Sequence, residues 1–260
     1  MDSNPYAGQH GTAPPGTLNM KRIYFDIETG PLPESELLAM LPPFDASEVR
    51  VGNLKDEAKI AAKIAEAELN HRRDFIDRAA LDATTGRVIA IGLLTPTPHP
   101  RPLSPSDAER VAATGREQIG EVEIIGDDDE AATLREFWKR WKWEDGRPVE
   151  FVGFNVLQFD LPFLVRRSWK LRVPVPAGLR RGRYWGDGIL DLRDVWQLGD
   201  RQARGSLDAI AKHLGIGAKN GDGKEFAKLW QCDREKAVAY LKNDLELTAR
   251  IAESLGCVAC

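Results

Sequence analysis

Apolar and polar positions along this chain switch between a two-residue and a 3.6-residue period, and the switches mark its elements. "RIYFDIE" runs mostly apolar for the length of a strand and breaks at Thr29-Gly30-Pro31. "GRVIAIGLLTP", "EVEIIG", "PVEFVGFN" and "GILDLRDVWQL" read as four further strands. Residues 34 to 41 suggest a short helix, and "LPPFDASEVRVGN" a loop. "LKDEAKIAAKIAEAELNHRRDFIDRAAL" is Ala-rich with mixed charges at helical spacing and predicts a long helix. In "DDDEAATLREFWKRWKW", Leu134, Phe137, Trp138 and Trp141 fall at i, i+3, i+4 and i+7, an amphipathic helix whose aromatic residues belong in the core. The acids from Asp127 to Glu130 suit the first turn of that helix. "DLPFLVRRSWKL" predicts a helix. "SLDAIAKHLG" predicts another, capped by Ser206 and closed by Gly215. "DREKAVAYLKNDLELTARIAESLG" is a long final helix, and no internal repeat is visible.

Three consecutive strands followed by alternating helix and strand predict one α/β sandwich around a mixed five-stranded sheet. Residues 31–82 would be a helical insertion between strands 1 and 2. Residues 1–19, rich in Gly, Pro and polar side chains, would be a flexible tail before a single domain at 20–260. Residues 96–118 would be a Pro-rich connection.

Composition narrows the class. At 42% hydrophobic and 29% charged residues the chain reads as an ordinary globular protein. No apolar run approaches the roughly 18–20 residues of a membrane span, so no membrane partner is expected. The N-terminus lacks a signal-peptide layout. Cys232, Cys257 and Cys260 are too few for a disulfide framework, so a cytoplasmic, reducing setting is expected. "CVAC" has metal-ligand spacing but no second pair, and reads as the frayed end of the last helix. A net charge of −4 argues against a protein coated with positive charge for bulk nucleic-acid binding. It leaves room for an enzyme that carries metal ions to phosphates.

Three acidic patterns stand out. Asp26 and Glu28 are two apart on a strand, so both carboxylates share one face. Paired like charges call for a cation, and hard oxygen donors suit Mg²⁺. Asp160 follows the strand closed by Asn155 and precedes a helix with Pro162 in its first turn, where it also fits as an N-cap. Tyr240 and Asp244 are four apart on the last helix and share a face.

Together, D-x-E, N-x4-D and Y-x3-D in this order resemble the DEDD superfamily of 3′-5′ exonucleases, in the subclass with Tyr before the last Asp. "VGFNVLQFDLPFL" is most similar to the proofreading exonuclease of family-B DNA polymerases and its stand-alone, including phage-borne, relatives. The resemblance implies a ribonuclease H-like fold. It implies that Asp26, Glu28, Asp160 and Asp244 bind two divalent ions, Mg²⁺ or Mn²⁺, and that Tyr240 positions the attacking water. It also brings Thr29, Asn155 and Phe159 toward the substrate. The sibling subclass has His where this chain has Ala239, and none of the four histidines falls in a motif, so a His base is disfavoured.

The implied activity is release of nucleoside 5′-monophosphates from DNA, with single strands expected. Residues 160–205 hold ten Lys or Arg against five Asp, including Arg166, Arg167, Lys170, Arg172, Arg180, Arg181 and Arg183. "LRRGRYWGDG" could hold a strand through Arg181 and Tyr184, or be a solvated basic loop with its aromatic residues packed down. Asp191 and Asp194 are either near the metals or ordinary strand-edge acids. Alternatives are an RNA 3′ exonuclease of the same fold, with no visible signature for the 2′-OH, and a non-catalytic replication accessory module. With no polymerase segment in the chain, proofreading would need a separate polymerase or replication partner in a bacterial or phage-infected cell.

Overall fold

Strand β1 (Lys21–Pro31) is buried on both faces, with Ile23, Phe25 and Ile27 on one side and Tyr24 on the other. Burial of both faces suits the centre of a sheet covered by helices on each side. The computed structural model describes residues 21–97, 120–141, 149–180, 188–200 and 202–257, and β1 is its central strand. It pairs antiparallel with β2 (Gly86–Pro96) and parallel with β4 (Val149–Gly153). Strand β3 (Gly120–Ile125) adds antiparallel to β2, and β5 (Ile189–Asp191) adds parallel to β4. The order is β3-β2-β1-β4-β5, with β2 running against the other four. This is the mixed five-stranded, ribonuclease H-like sheet that the resemblance implied.

Helices cover both faces. Helices α1 (Glu34–Met40) and α2 (Glu57–Arg78) lie between β1 and β2 in the chain. Helices α3 (Glu130–Arg140) and α4 (Asp160–Lys170) pack Leu134, Phe137, Trp138, Leu161 and Leu164 against Ile23, Phe25 and Phe151. The opposite face carries α5 (Leu192–Gln197), α6 (Leu207–His213), α7 (Phe226–Cys232) and α8 (Arg234–Ser254). There Leu245, Ile251 and Ile210 meet Tyr24, Leu94 and Val152, while Phe226, Tyr240 and Leu241 meet Ile89 and Ala90. Because α3 is amphipathic at the positions expected, it delivers an aromatic wall to the back of β1. Trp141 stacks on Phe151 at 3.9 Å between ring centroids, and Phe25 meets Phe137 at 5.9 Å.

Several expectations need correction. The fifth strand ends after three residues, because Asp191 caps α5 by accepting from the Arg193 N–H at 2.9 Å. The loop after α1 contains a 3₁₀ turn at Ala46–Glu48. Residues 226–232, left without an element in the sequence reading, form α7. Glu130 is more than a solvated first-turn acid. It accepts from Arg167 Nε and Nη2 at 2.8 and 2.6 Å and from the Val88 N–H at 2.9 Å, in a nearly dry ion pair between α3 and α4. Helix α2 is shorter than the predicted stretch at both ends, with Asp56 as its N-cap and Ala79–Leu81 forming a 3₁₀ turn after it, and none of its residues is buried. The N-terminal tail, most of the 96–118 connection and Cys260 lie outside the described residues.

Candidate active site

Asp26 and Glu28 share the α8 face of β1, opposite Gly92 and Ala90 of β2. Gly92 is required there: a Cβ would come within 2.8 Å of Leu245 Cδ1 and 2.9 Å of Leu241 Cγ. Its absence lets α8 settle onto the sheet. Tyr240 and Asp244, flanked by Leu241 and Leu245, are thereby buried against β1. One carboxylate oxygen from each of Asp26, Glu28 and Asp244 lies within 4.8 Å of the other two. Residues more than 200 positions apart thus form one acidic cluster.

Asp160 joins from the other side of β1. It is the first residue of α4 and is buried. It does not cap its own helix. Its Oδ1 accepts from the Ile27 N–H at 3.1 Å, tying the α4 start to β1. Its charge bears on Asp26 and Glu28, but it stands outside the close group of three.

The turn that delivers Asp160 is fixed by Asp191, which accepts from the Asn155 and Leu157 N–H groups at 2.8 and 2.9 Å. Asn155 has a positive φ of 64° and receives Arg193 Nη1 at 3.2 Å through its side chain. Asp191 is therefore a buried clamp behind the turn, in place of the strand-edge acid of one reading.

Burial and crowding raise the proton affinity of these acids. Desolvation first, and then Asp244, pushes Asp26 up to about 7, against the opposing pull of Lys219. Glu28 and Asp160 are held well above the usual carboxylate range by burial and by Asp26. Burial also raises Asp244, although Lys219 and Tyr240 act the other way. Burial and the charges of Glu28 and Asp244 push the Tyr240 hydroxyl higher still, so it stays protonated.

Lys219 escaped the sequence reading. Its Nζ lies 2.5 Å from Asp244 Oδ2 and 4.9 Å from the Tyr240 ring centroid, and it hydrogen-bonds to Tyr240. It sits in the glycine-rich segment "GIGAKNGDGK", where no periodicity singles it out. Gly223, in the same segment, lies against both groups: a Cβ there would stand 3.4 Å from the Tyr240 hydroxyl and 3.8 Å from Glu28 Oε2.

The donor set fits a hard divalent cation. Three carboxylates converge, and Asp244 Oδ1 is buried with no partner among the described residues.

Of the other expected residues, Thr29 follows the irregularity after Glu28 and donates to Ala80 O at 2.7 Å. Phe159 precedes α4 with its ring 5.6 Å from that of Phe163. Arg181 and Tyr184 lie outside the described residues.

Residues 97–248 match the family described as "Predicted 3'-5' exonuclease related to the exonuclease domain of PolB". The chain belongs to this family. As a PolB-exonuclease-related chain, it carries Asp160, Tyr240 and Asp244 inside the matched region, while Asp26 and Glu28 reach the cluster from outside it. It is 30% identical over 146 residues to a DNA polymerase of Archaeoglobus fulgidus, covering 51% of this chain and 18% of that protein. Its fold is similar to the family B DNA polymerase from Pyrobaculum calidifontis, with a TM-score of 0.51 and 17% identity, over 95% of this chain and 25% of that one. The chain spans about a fifth to a quarter of the length of these relatives. Among the described residues no helix is long and apolar enough to cross a membrane.

Proposed function

We propose that this PolB-exonuclease-related chain is a metal-dependent 3′-5′ exonuclease that releases nucleoside 5′-monophosphates from single-stranded DNA. The observation that carries the reading is the convergence of Asp26, Glu28 and Asp244 beneath Tyr240. Asp26, Glu28 and Asp244 would hold Mg²⁺ or Mn²⁺, and Asp160 beside Asp26 is the further acid available for a second ion. When bound, such ions neutralise phosphodiester charge and make a nearby water more acidic.

The chain's own groups do the positioning. The Tyr240 hydroxyl, held by Lys219, and Glu28 Oε2 both lie beside Gly223. A water bound near these two groups would donate to Glu28 and accept from Tyr240, which aims its lone pair at phosphorus. The protonated Tyr240 orients this water without serving as its base. Attack by water with departure of the 3′ oxygen leaves the phosphate on the released 5′ carbon. Thr29, Asn155 and Phe159 would contact the terminal nucleotides, and Arg181 and Tyr184 would grip the strand beyond. The relatives are polymerases, so a polymerase or other replication protein is the proposed partner.

The test is digestion of end-labelled single- and double-stranded DNA and RNA oligonucleotides with Mn²⁺. Single-stranded DNA should be shortened from its 3′ end to mononucleotides. Asp26→Ala or Asp244→Ala should lose nearly all of this activity while keeping a cooperative melt. Unchanged turnover in either variant would refute the assignment, and faster loss of RNA would reassign the substrate.

A further inference from the structure

Lys219 places a fixed positive charge where a metal ion also has to be held, and Asp244 is divided between the two. Oδ2 takes the Lys219 ammonium at 2.5 Å, while Oδ1 is buried and unpartnered among the described residues. Lys219 is 27% exposed and Asp244 only 2%, so the contact is largely shielded from water. The lysine is tethered at its backbone as well. Its N–H donates to Asp208 Oδ1 at 2.9 Å. The next residue is pinned to α8, with Asn220 N donating to Asn243 Oδ1 at 3.1 Å and Nδ2 to Ala239 O at 3.3 Å. Gly217, at φ 148°, lets the chain turn into this position.

We propose that Lys219 is the protein's own counter-cation for the acidic cluster: it holds Asp26, Glu28 and Asp244 together without metal and weakens the hold on a metal that arrives. The inference rests on the metal-binding reading of the site. Three carboxylates with oxygens within 4.8 Å repel one another, and one ammonium offsets part of that repulsion. An ion bound through the free Oδ1 would lie a few ångströms from the same ammonium. Partly shielded from solvent, that repulsion lowers affinity on the order of tenfold or more. Coupling of this kind is reciprocal, so a bound ion loosens the Lys219 contact by the same factor. The site would then load fully only when the phosphates of a nucleic acid add their own charge.

The experiment compares wild type with Lys219→Met, which keeps the stem and removes the charge, and Lys219→Arg, which keeps the charge. Each is stripped with EDTA, melted, and titrated calorimetrically with Mn²⁺. Lys219→Met should melt lower than wild type in EDTA yet bind Mn²⁺ at least tenfold more tightly, while Lys219→Arg tracks wild type. Equal or weaker Mn²⁺ binding by Lys219→Met overturns the proposal, because a merely structural lysine would weaken metal binding when lost. If Lys219→Met does not fold, amide exchange in wild type decides: Mn²⁺ should speed exchange at Lys219 and Asn220, and slower or unchanged exchange overturns the idea. Wild type that binds no Mn²⁺ at all overturns the metal reading itself, a separate result.

Discussion

Removing divalent ions and raising the pH should destabilise this protein, and Asp26 gives the size of the effect. Its carboxyl ordinarily titrates near 3.8 and is pushed up to about 7 in the fold. Between those values the folded state keeps a proton that the unfolded chain has released. The folded state therefore binds more protons, and stability falls as pH rises through that window. At about 1.4 kcal/mol per pH unit the ceiling is about 4 kcal/mol for Asp26, of which about 2 kcal/mol lies between pH 5 and 7. For a chain of this length that corresponds to roughly 5–10 °C in melting midpoint.

The assay is a thermal melt in EDTA from pH 5 to pH 8, repeated with Mn²⁺ and with Asp26→Asn. The wild-type midpoint should fall with pH relative to Asp26→Asn, and Mn²⁺ should recover most of the loss by supplying the missing positive charge. A wild-type curve parallel to that of Asp26→Asn would refute the reasoning, since Asp26 would then titrate alike in both states.

Other predictions follow from single contacts. Arg167→Met leaves Glu130 buried without its partner and should cost about 3–5 kcal/mol in urea unfolding; a loss below 1 kcal/mol would mean the pair is not dry. Asp191→Ala strands the N–H groups of Asn155, Leu157 and Arg193 and should cost about 1–3 kcal/mol, with kcat falling as the turn before Asp160 loosens. Normal kcat in a destabilised Asp191→Ala protein would disconnect that turn from the site. Gly223→Val puts a branched side chain against the Tyr240 hydroxyl and Glu28 Oε2 and should lower kcat about a hundredfold while shifting the melt little. Full activity would mean that the surroundings of the Tyr240 hydroxyl and Glu28 on this side play no part in turnover.

The core strands and the long helices were legible because burial writes a period into the sequence. "RIYFDIE" and the α3 aromatic residues each followed one pattern, and the structure put them face to face. The acids of β1 and α8 were legible as local pairs, and their convergence followed from the fold that the resemblance implied. Two of the failures share a cause: side chains whose partners lie far along the chain. Asp160 looked like an N-cap because that role is local, whereas its partner, Ile27, is 133 residues away. "LRDVWQL" has apolar residues at helical spacing, but the preceding "GILD" drew it into a strand. Asp191 could not announce three backbone partners, two of them in another segment. Lys219 lay in a segment without periodicity. Its one local signal was the number of glycines spent around it.

The central position of β1 also constrains how the chain acquires its shape during synthesis. Lys21 leaves the ribosome well before its sheet neighbour Val149, which follows 128 residues later (149 minus 21). At a translation rate of roughly 5–20 residues per second, the strand bearing Asp26 and Glu28 waits about 6–25 s for that neighbour. Its β2 partner arrives sooner, but only after α1 and α2 have been made. A nascent strand with Ile23, Phe25 and Ile27 along one face is exposed to wrong pairing for all of that time, so slow, late closure around β1 is built into the order of the elements.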